Sequence, residues 1–157
     1  MSAWQEYKKK MGTTAAGLEI VQNYFSQQKL SPTPQLFDAS GLSSSDKASC
    51  RSFMTILNEN ASGLAPLLAV AGKSGTLITA FEDSPMNGRL LGKTGTLSGV
   101  KSLVGYLPVE GGQPVVFALM MNTSGIDNKT AYRPIWDALG NALNKAKSSP
   151  RADQLAP

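Results

Sequence analysis

Apolar positions along the chain change period, and the change predicts the elements. Leu18, Val21, Tyr24 and Phe25 recur at three- and four-residue spacing, the face of an amphipathic helix running from Thr14 to near Gln28. Ser31-Pro32-Thr33-Pro34 breaks it. Leu36 and Phe37 lead into a loop of small residues from Asp38 to Asp46. A second helix is expected from about Asp46 to Asn58, with a Ser or Asp N-cap and Phe53, Ile56 and Leu57 turned inward. Tyr132, Ile135, Trp136, Leu139, Leu143 and Ala146 mark a C-terminal helix, with Pro134 in its first turn, where proline is tolerated. The polar segment Met1 to Lys10 reads as a helix that packs on something else, and residues 148–157 read as a frayed tail.

Between these helices the period shortens. Gly63 to Gly75 is rich in Gly and Ala and reads as irregular, and Ser84-Pro85-Met86-Asn87-Gly88 reads as a turn. Arg89 to Leu97, Lys101 to Leu107 and Gln113 to Met121 read as strands. In the second, Leu103, Gly105 and Leu107 share one face, and Val104 and Tyr106 the other. The third is continuously apolar, which predicts burial on both faces. Pro108 to Gly112 connects the last two as a hairpin. Helices packed on an antiparallel sheet make the expected class α+β, with one domain over residues 1–147. One side of Arg89 to Leu97 is expected to carry unpaired N–H and C=O groups.

Composition narrows the chemistry. The chain has 157 residues, 41% of them hydrophobic and 17% charged, which suits a globular domain and excludes a disordered one. It contains no histidine, so any nucleophile here needs a lysine or carboxylate as its base, and no histidine metal site is available. The single cysteine, Cys50, excludes an internal disulfide. The net charge of +4 sits largely at the ends, in Lys8, Lys9, Lys10, Lys145, Lys147 and Arg151. No aromatic residues interleave with a basic stripe, so solvated terminal charge is preferred to a nucleic-acid surface. Met1 to Lys10 lacks the apolar core of a signal peptide, and the apolar runs Leu64 to Ala71 and Val115 to Met121 fall far short of the roughly 20 residues of a membrane span.

Gly72-Lys73-Ser74 and Gly92-Lys93-Thr94 look like the ends of phosphate-binding loops, but the glycine such a loop needs five residues earlier is replaced by Leu67 and Asn87. Lys93-Thr94-Gly95-Thr96 has another use. Lys-Thr-Gly on a strand is one of three catalytic elements of penicillin-binding proteins and β-lactamases, beside S-x-x-K and S-D-N. The lysine ammonium attracts a substrate carboxylate, and the threonine hydroxyl can bond it. The glycine lets substrate lie against the strand, and the next backbone N–H can face a developing oxyanion. As a bare triplet, the letters are better explained by an ordinary edge strand.

The flanking segments extend the match. Asp38-Ala39-Ser40-Gly41-Leu42-Ser43, Val70-Ala71-Gly72-Lys73-Ser74-Gly75-Thr76-Leu77 and Lys93-Thr94-Gly95-Thr96-Leu97-Ser98-Gly99-Val100 resemble, in order and spacing, three segments of the low-molecular-mass D-alanyl-D-alanine carboxypeptidase/endopeptidase family, the class C penicillin-binding proteins. The resemblance covers roughly Thr13 to Ala146 and implies a partial β-lactamase/transpeptidase-like fold. It implies a serine-type hydrolase acting on peptidoglycan stem peptides and acylated by β-lactams, working outside the cytoplasmic membrane and needing no metal or organic cofactor. By that resemblance Lys93, Thr94, Gly95 and Thr96 form the catalytic substrate strand, and Ser40, Leu42 and Ser98 line the binding site.

The departures are specific. The family's S-x-x-K and S-x-N lie upstream of the matched segments. Ser98-Gly99-Val100-Lys101 and Ser44-Ser45-Asp46-Lys47 match S-x-x-K by letters only, and Ser45-Asp46-Lys47 is not S-D-N. Ser44 stands where relatives commonly carry arginine, and Ala39 where they carry glycine. The sequence is therefore read as a C-terminal portion that would act with a complementary N-terminal piece. The alternatives are a non-catalytic remnant that keeps a peptide-binding strand, and, more remotely, an unrelated basic nucleic-acid-binding domain.

Overall fold

Thr13 opens the first helix by accepting the Ala16 N–H on Oγ1 at 3.2 Å, so α1 runs Thr14–Gln27 as the apolar spacing predicts. The computed structural model describes residues 13–28, 30 and 32–147; the expectations for Met1 to Lys10 and for 148–157 lie outside them. These residues fall into two compact units, up to Ile56 and from Leu57.

In the first unit, Leu18, Val21 and Phe25 of α1 are half-buried and Tyr24 is exposed. The Gln22 side chain donates to the Pro34 carbonyl at 3.0 Å, which ties α1 to the Pro-rich breaker. The second helix, α2, is Cys50–Glu59, shorter than expected. Its start moves because residues near Asp46 are already engaged. Lys47 pairs with Gln35 in an isolated antiparallel bridge, and the Asp46 carboxylate accepts the Phe37 N–H at 2.7 Å. The cap is a serine as expected, but it is Ser49, whose Oγ accepts the Ser52 N–H at 3.0 Å. Phe53 and Ile56 are half-buried where the pattern had them inward, while Ser52 is buried and donates to the Pro32 carbonyl at 3.1 Å. A hydroxyl that finds a backbone partner can take an interior position that apolar periodicity alone does not assign.

The second unit is built on a four-stranded antiparallel sheet in the order β1-β2-β3-β4. β1 is Ala69–Val70, β2 Leu91–Leu97, β3 Val100–Leu107 and β4 Val115–Asn122. β1 corrects the sequence reading, which took Gly63 to Gly75 as irregular. A short helix α3, Ala61–Leu64, overlaps the start of that stretch, a 3-10 turn lies within it at Ala65–Leu67, and another at Gly75–Leu77 overlaps its end. Two residues are too few to show alternation, so β1 is set by pairing with β2, Ala69 to Gly92 and Val70 to Leu91. β4 is a second correction. Only Phe117 in it is buried, because β4 lies at the end of the strand order and its apolar run is half-covered.

The last helix, α4, spans Lys129–Lys147 and starts earlier than expected. Asn128 Oδ1 accepts the Thr130 N–H at 3.1 Å, which places Pro134 beyond the first turn. Proline there leaves the Thr130 carbonyl without its helical donor, and both residues are exposed, so water can serve that carbonyl. Tyr132, Trp136 and Leu143 of α4 join Leu103, Leu107, Phe117, Leu77, Phe81 and Met86 in one core cluster, while Ile135 is exposed. Phe81 stacks on Trp136 at 6.0 Å between ring centroids, and Tyr132 tilts against it at 4.7 Å. Tyr106, on the opposite face of β3 from Leu103, is also buried and donates its hydroxyl to the Leu57 carbonyl at 2.6 Å.

Candidate functional site

Lys93, Thr94, Gly95 and Thr96 lie on β2, paired with Val104, Leu103, Ser102 and Lys101 of β3. Alternation sends the Lys93 side chain to the face of Ser102 and Val104, and Thr94 and Thr96 to the face of Lys101 and Leu103. A Cβ at Gly95 would meet Ser102 Oγ, and that hydroxyl would have to turn away.

Backbone alternation decides what the strand presents. Ala71 donates its N–H to the Leu90 carbonyl at 2.9 Å, so the even-numbered residues of β2 point their N–H and C=O toward the β1 side. β1 covers only Leu91 and Gly92. Beyond them, among the described residues, no strand pairs with that edge, and the main-chain groups of Thr94 and Thr96 form an open edge. The Lys93 ammonium curls over this edge and donates to the Thr94 carbonyl at 2.9 Å.

Two contacts that sequence reasoning missed hold the threonines. Thr94 Oγ1 lies 2.8 Å from Thr76 Oγ1. Thr96 Oγ1 accepts from Lys101 Nζ at 2.7 Å. Thr76 belongs to the Gly-Thr-Leu segment matched earlier, which was the available signal; Lys101 had none beyond its in-facing register on β3.

Ser98 is exposed in the tight turn between β2 and β3. Gly99 sets that turn with φ +72°, donates its N–H to Asp127 Oδ1 at 3.0 Å and accepts from the Thr123 N–H at 2.9 Å. The Gly99 N–H, with help from Lys101, holds the Asp127 carboxyl below its ordinary range.

Ser40 and Leu42 sit together on a loop of the first unit, both exposed, Leu42 at 72%. Asp38 organises that loop. Its Oδ1 accepts the N–H groups of Ser40 and Gly41 at 2.8 and 2.7 Å, and its Oδ2 that of Ser43 at 2.6 Å. Desolvation pushes the Asp38 carboxyl up, but the N–H donors of Gly41, Ser43 and Ser40 together outweigh it and hold the group below the ordinary carboxylate range.

The S-x-x-K letter matches have the wrong setting. Lys47 is in a bridge before α2, so Ser44 does not open a helix. Ser98 to Lys101 spans a hairpin, with Lys101 turned into the core. A third match, Ser26 to Lys29, begins at the C-terminal end of α1, where Ser26 Oγ donates to the Gln22 carbonyl at 3.0 Å; Lys29 lies outside the described residues. Among the described residues no three metal-ligating side chains cluster, and no helix is long and apolar enough to cross a membrane.

Residues 2–142 match the profile of the D-Ala-D-Ala carboxypeptidase 3 (S13) family, a match that extends upstream of Thr13, beyond the stretch whose motifs carry the resemblance. Carboxypeptidase DacB of Mycolicibacterium smegmatis is 32% identical over 120 residues, which cover 69% of this chain and 25% of that protein. Penicillin-sensitive carboxypeptidase A of Dictyostelium discoideum is 30% identical over 131 residues, covering 74% of this chain and 24% of that protein. The chain thus spans about a quarter of the length of these relatives. The crystal structure of penicillin binding protein 4 (dacB) from Haemophilus influenzae superposes with a TM-score of 0.72 at 24% identity, over 90% of this chain and 34% of that one. The α+β fold is accordingly that of a portion of the penicillin-binding, transpeptidase-like architecture. On the profile match and these relatives, the chain belongs to the D-Ala-D-Ala carboxypeptidase 3 (S13) family.

Proposed function

We propose that this chain supplies the substrate strand of a serine-type D-Ala-D-Ala carboxypeptidase/endopeptidase that acts on peptidoglycan stem peptides in the cell envelope. Residues 1–147 would then be a C-terminal portion of the transpeptidase-like domain. Lys93 and the Thr94 hydroxyl take the terminal carboxylate of the D-Ala-D-Ala end. The Thr96 N–H faces the carbonyl oxygen that becomes negative on attack, Gly95 keeps the strand surface clear, and Ser98 contacts the rest of the peptide. The observation that carries this reading is the open edge of β2, where a cation, a hydroxyl and the outward-pointing main-chain groups of two residues converge within four residues. An extended peptide can pair with such an edge while its carboxylate meets the lysine.

The acylating serine and its lysine base would come from residues outside this sequence, since none of its S-x-x-K letter matches opens a helix among the described residues. That same observation favours the second reading, a peptide-binding remnant without chemistry. A longer reading frame encoding S-x-x-K and S-x-N upstream supports the first reading, and its absence the second.

The direct test uses the 157-residue chain. N-acetyl-D-alanyl-D-alanine should shift the amide resonances of Thr94 and Thr96, and Lys93→Ala should abolish the shifts. Fluorescent penicillin should leave no covalent band on a denaturing gel. A dipeptide that shifts neither threonine overturns the substrate-strand assignment. A labelled band lost in Ser26→Ala, Ser44→Ala or Ser98→Ala overturns the external nucleophile.

A further inference from the structure

Lys101 is the only buried charged side chain among the described residues, at 8% exposure. Burying an ammonium is costly unless its charge and protons are met. Its Nζ donates to Thr96 Oγ1 at 2.7 Å and lies 4.3 Å from the centroid of the Tyr132 ring and 5.3 Å from that of Trp136. One hydroxyl, the ring faces by cation–π attraction, and the Asp127 carboxylate, which feels its charge, together compensate it. An apolar side chain of the same length would suit a core of Leu103, Tyr132 and Trp136 better if packing were its only task. What the lysine adds is a fixed positive charge directly behind Thr96.

We propose that Lys101 is a positioning residue for the substrate strand: it locks the Thr96 side chain and places positive potential behind the Thr96 N–H. The proposal rests on the reading of β2 given above. By register, Lys101 is the cross-strand partner of Thr96. Its hydrogen bond holds the Thr96 side chain, while strand pairing aims the Thr96 N–H at the open edge. The ammonium is shielded from solvent on the core side, so its field is weakened less by water in the direction of the edge, where an anionic peptide end would lie. Lys93 then serves as the exposed cation at the rim and Lys101 as the buried one beneath.

The test compares the chain with Lys101→Met, Lys101→Gln and Lys101→Arg, each checked for a cooperative melt. Three-bond couplings to the Thr96 methyl report its rotamer, and titration with N-acetyl-D-alanyl-D-alanine reports affinity. The parent should show one rotamer. Lys101→Met should show averaged couplings and roughly three- to tenfold weaker binding, the size expected for losing one partly screened charge. Lys101→Gln should weaken binding similarly because the charge is gone, and Lys101→Arg should restore it. If Lys101→Met does not fold, Thr96→Val breaks the same contact isosterically and should weaken binding while leaving the core intact. Unchanged couplings and affinity in a folded Lys101→Met chain, or unchanged affinity in Thr96→Val, overturn the proposal and make Lys101 a packing residue. If the parent chain itself gives no shifts at Thr94 and Thr96, the reading of β2 fails and this proposal falls with it.

Discussion

The hydroxyls of Thr76 and Thr94 lie 2.8 Å apart, although 18 residues separate them. The contact joins the 3-10 turn after β1 to the strand that carries Lys-Thr-Gly. Each hydroxyl has one proton and two lone pairs. When Thr76 donates, the Thr94 proton is left free for an incoming carboxylate, and the bond it accepts polarises it further. Thr76→Val should therefore cost about 0.5–1.5 kcal/mol of stability, the worth of one neutral hydrogen bond, read as a lower urea midpoint at unchanged slope. It should also weaken N-acetyl-D-alanyl-D-alanine binding, and Thr76→Ser should recover both. Full retention of both properties in Thr76→Val would show that the pair is incidental.

A second expectation concerns acid. Asp38 has its carboxyl lowered from the ordinary 3.8 by the N–H groups gathered around it, against an opposing push from desolvation. A carboxyl lowered in the folded state favours folding while it is ionised, and that contribution is complete above the unfolded value. It is lost as pH falls through the folded value, so the window opens near 3.8 and extends below it. Amide exchange at Ser40, Gly41 and Ser43, corrected for intrinsic rate, should accelerate across that window while α4 stays protected. Asp38→Ala should show the fast exchange already at neutral pH. Protection of these amides that is flat from pH 6 to 2.5 would contradict the Asp38 anchor.

What the sequence made legible follows from range. The Lys-Thr-Gly strand, the alternation of Leu103, Gly105 and Leu107 and the face of Tyr132, Trp136 and Leu143 are local periodicities, and the structure keeps them. The start of α2 was misplaced because Asp46 and Lys47 are claimed by Phe37 and Gln35, partners that no local pattern announces. β1 was missed because two residues have no period, and the pairing of Ala69 with Gly92 exists only once the chain has folded back. At the site, motif letters mark Lys93 to Thr96. The hydroxyl of Thr76 and the ammonium of Lys101 reach those residues through tertiary contacts, so their parts could not be assigned from spacing.

The core makes a third prediction. Trp136 is 2% exposed, stacked on Phe81 and tilted against Tyr132, and its Nε1 makes no hydrogen bond. Trp136→Ala should cost about 3–5 kcal/mol, since the void would be lined by rigid rings. Trp136→Phe should cost clearly less, because it keeps an aromatic partner for both neighbours and removes an unpaired buried donor. Urea unfolding of the two variants checks the order. A phenylalanine variant as unstable as the alanine one would mean that the indole N–H is satisfied after all.

The last prediction separates substrate access from stability at Gly95. An added Cβ would meet Ser102 Oγ, directly across on β3, so Gly95→Ala should push the two strands apart or drive Ser102 off its rotamer. Overpacking of this kind costs roughly 1–3 kcal/mol. The clash names its own remedy. Ser102→Gly removes the obstructing hydroxymethyl group, so the double variant Gly95→Ala/Ser102→Gly should recover most of the stability lost by the first change, beyond what the separate effects would sum to. Binding should respond differently. A methyl on the strand face beside Lys93 still stands where the peptide is proposed to lie, so N-acetyl-D-alanyl-D-alanine affinity should stay low in the double variant even when its melt is restored. Recovery of affinity together with stability would show that Gly95 serves the fit between β2 and β3 alone, and that the peptide does not approach that face of the strand.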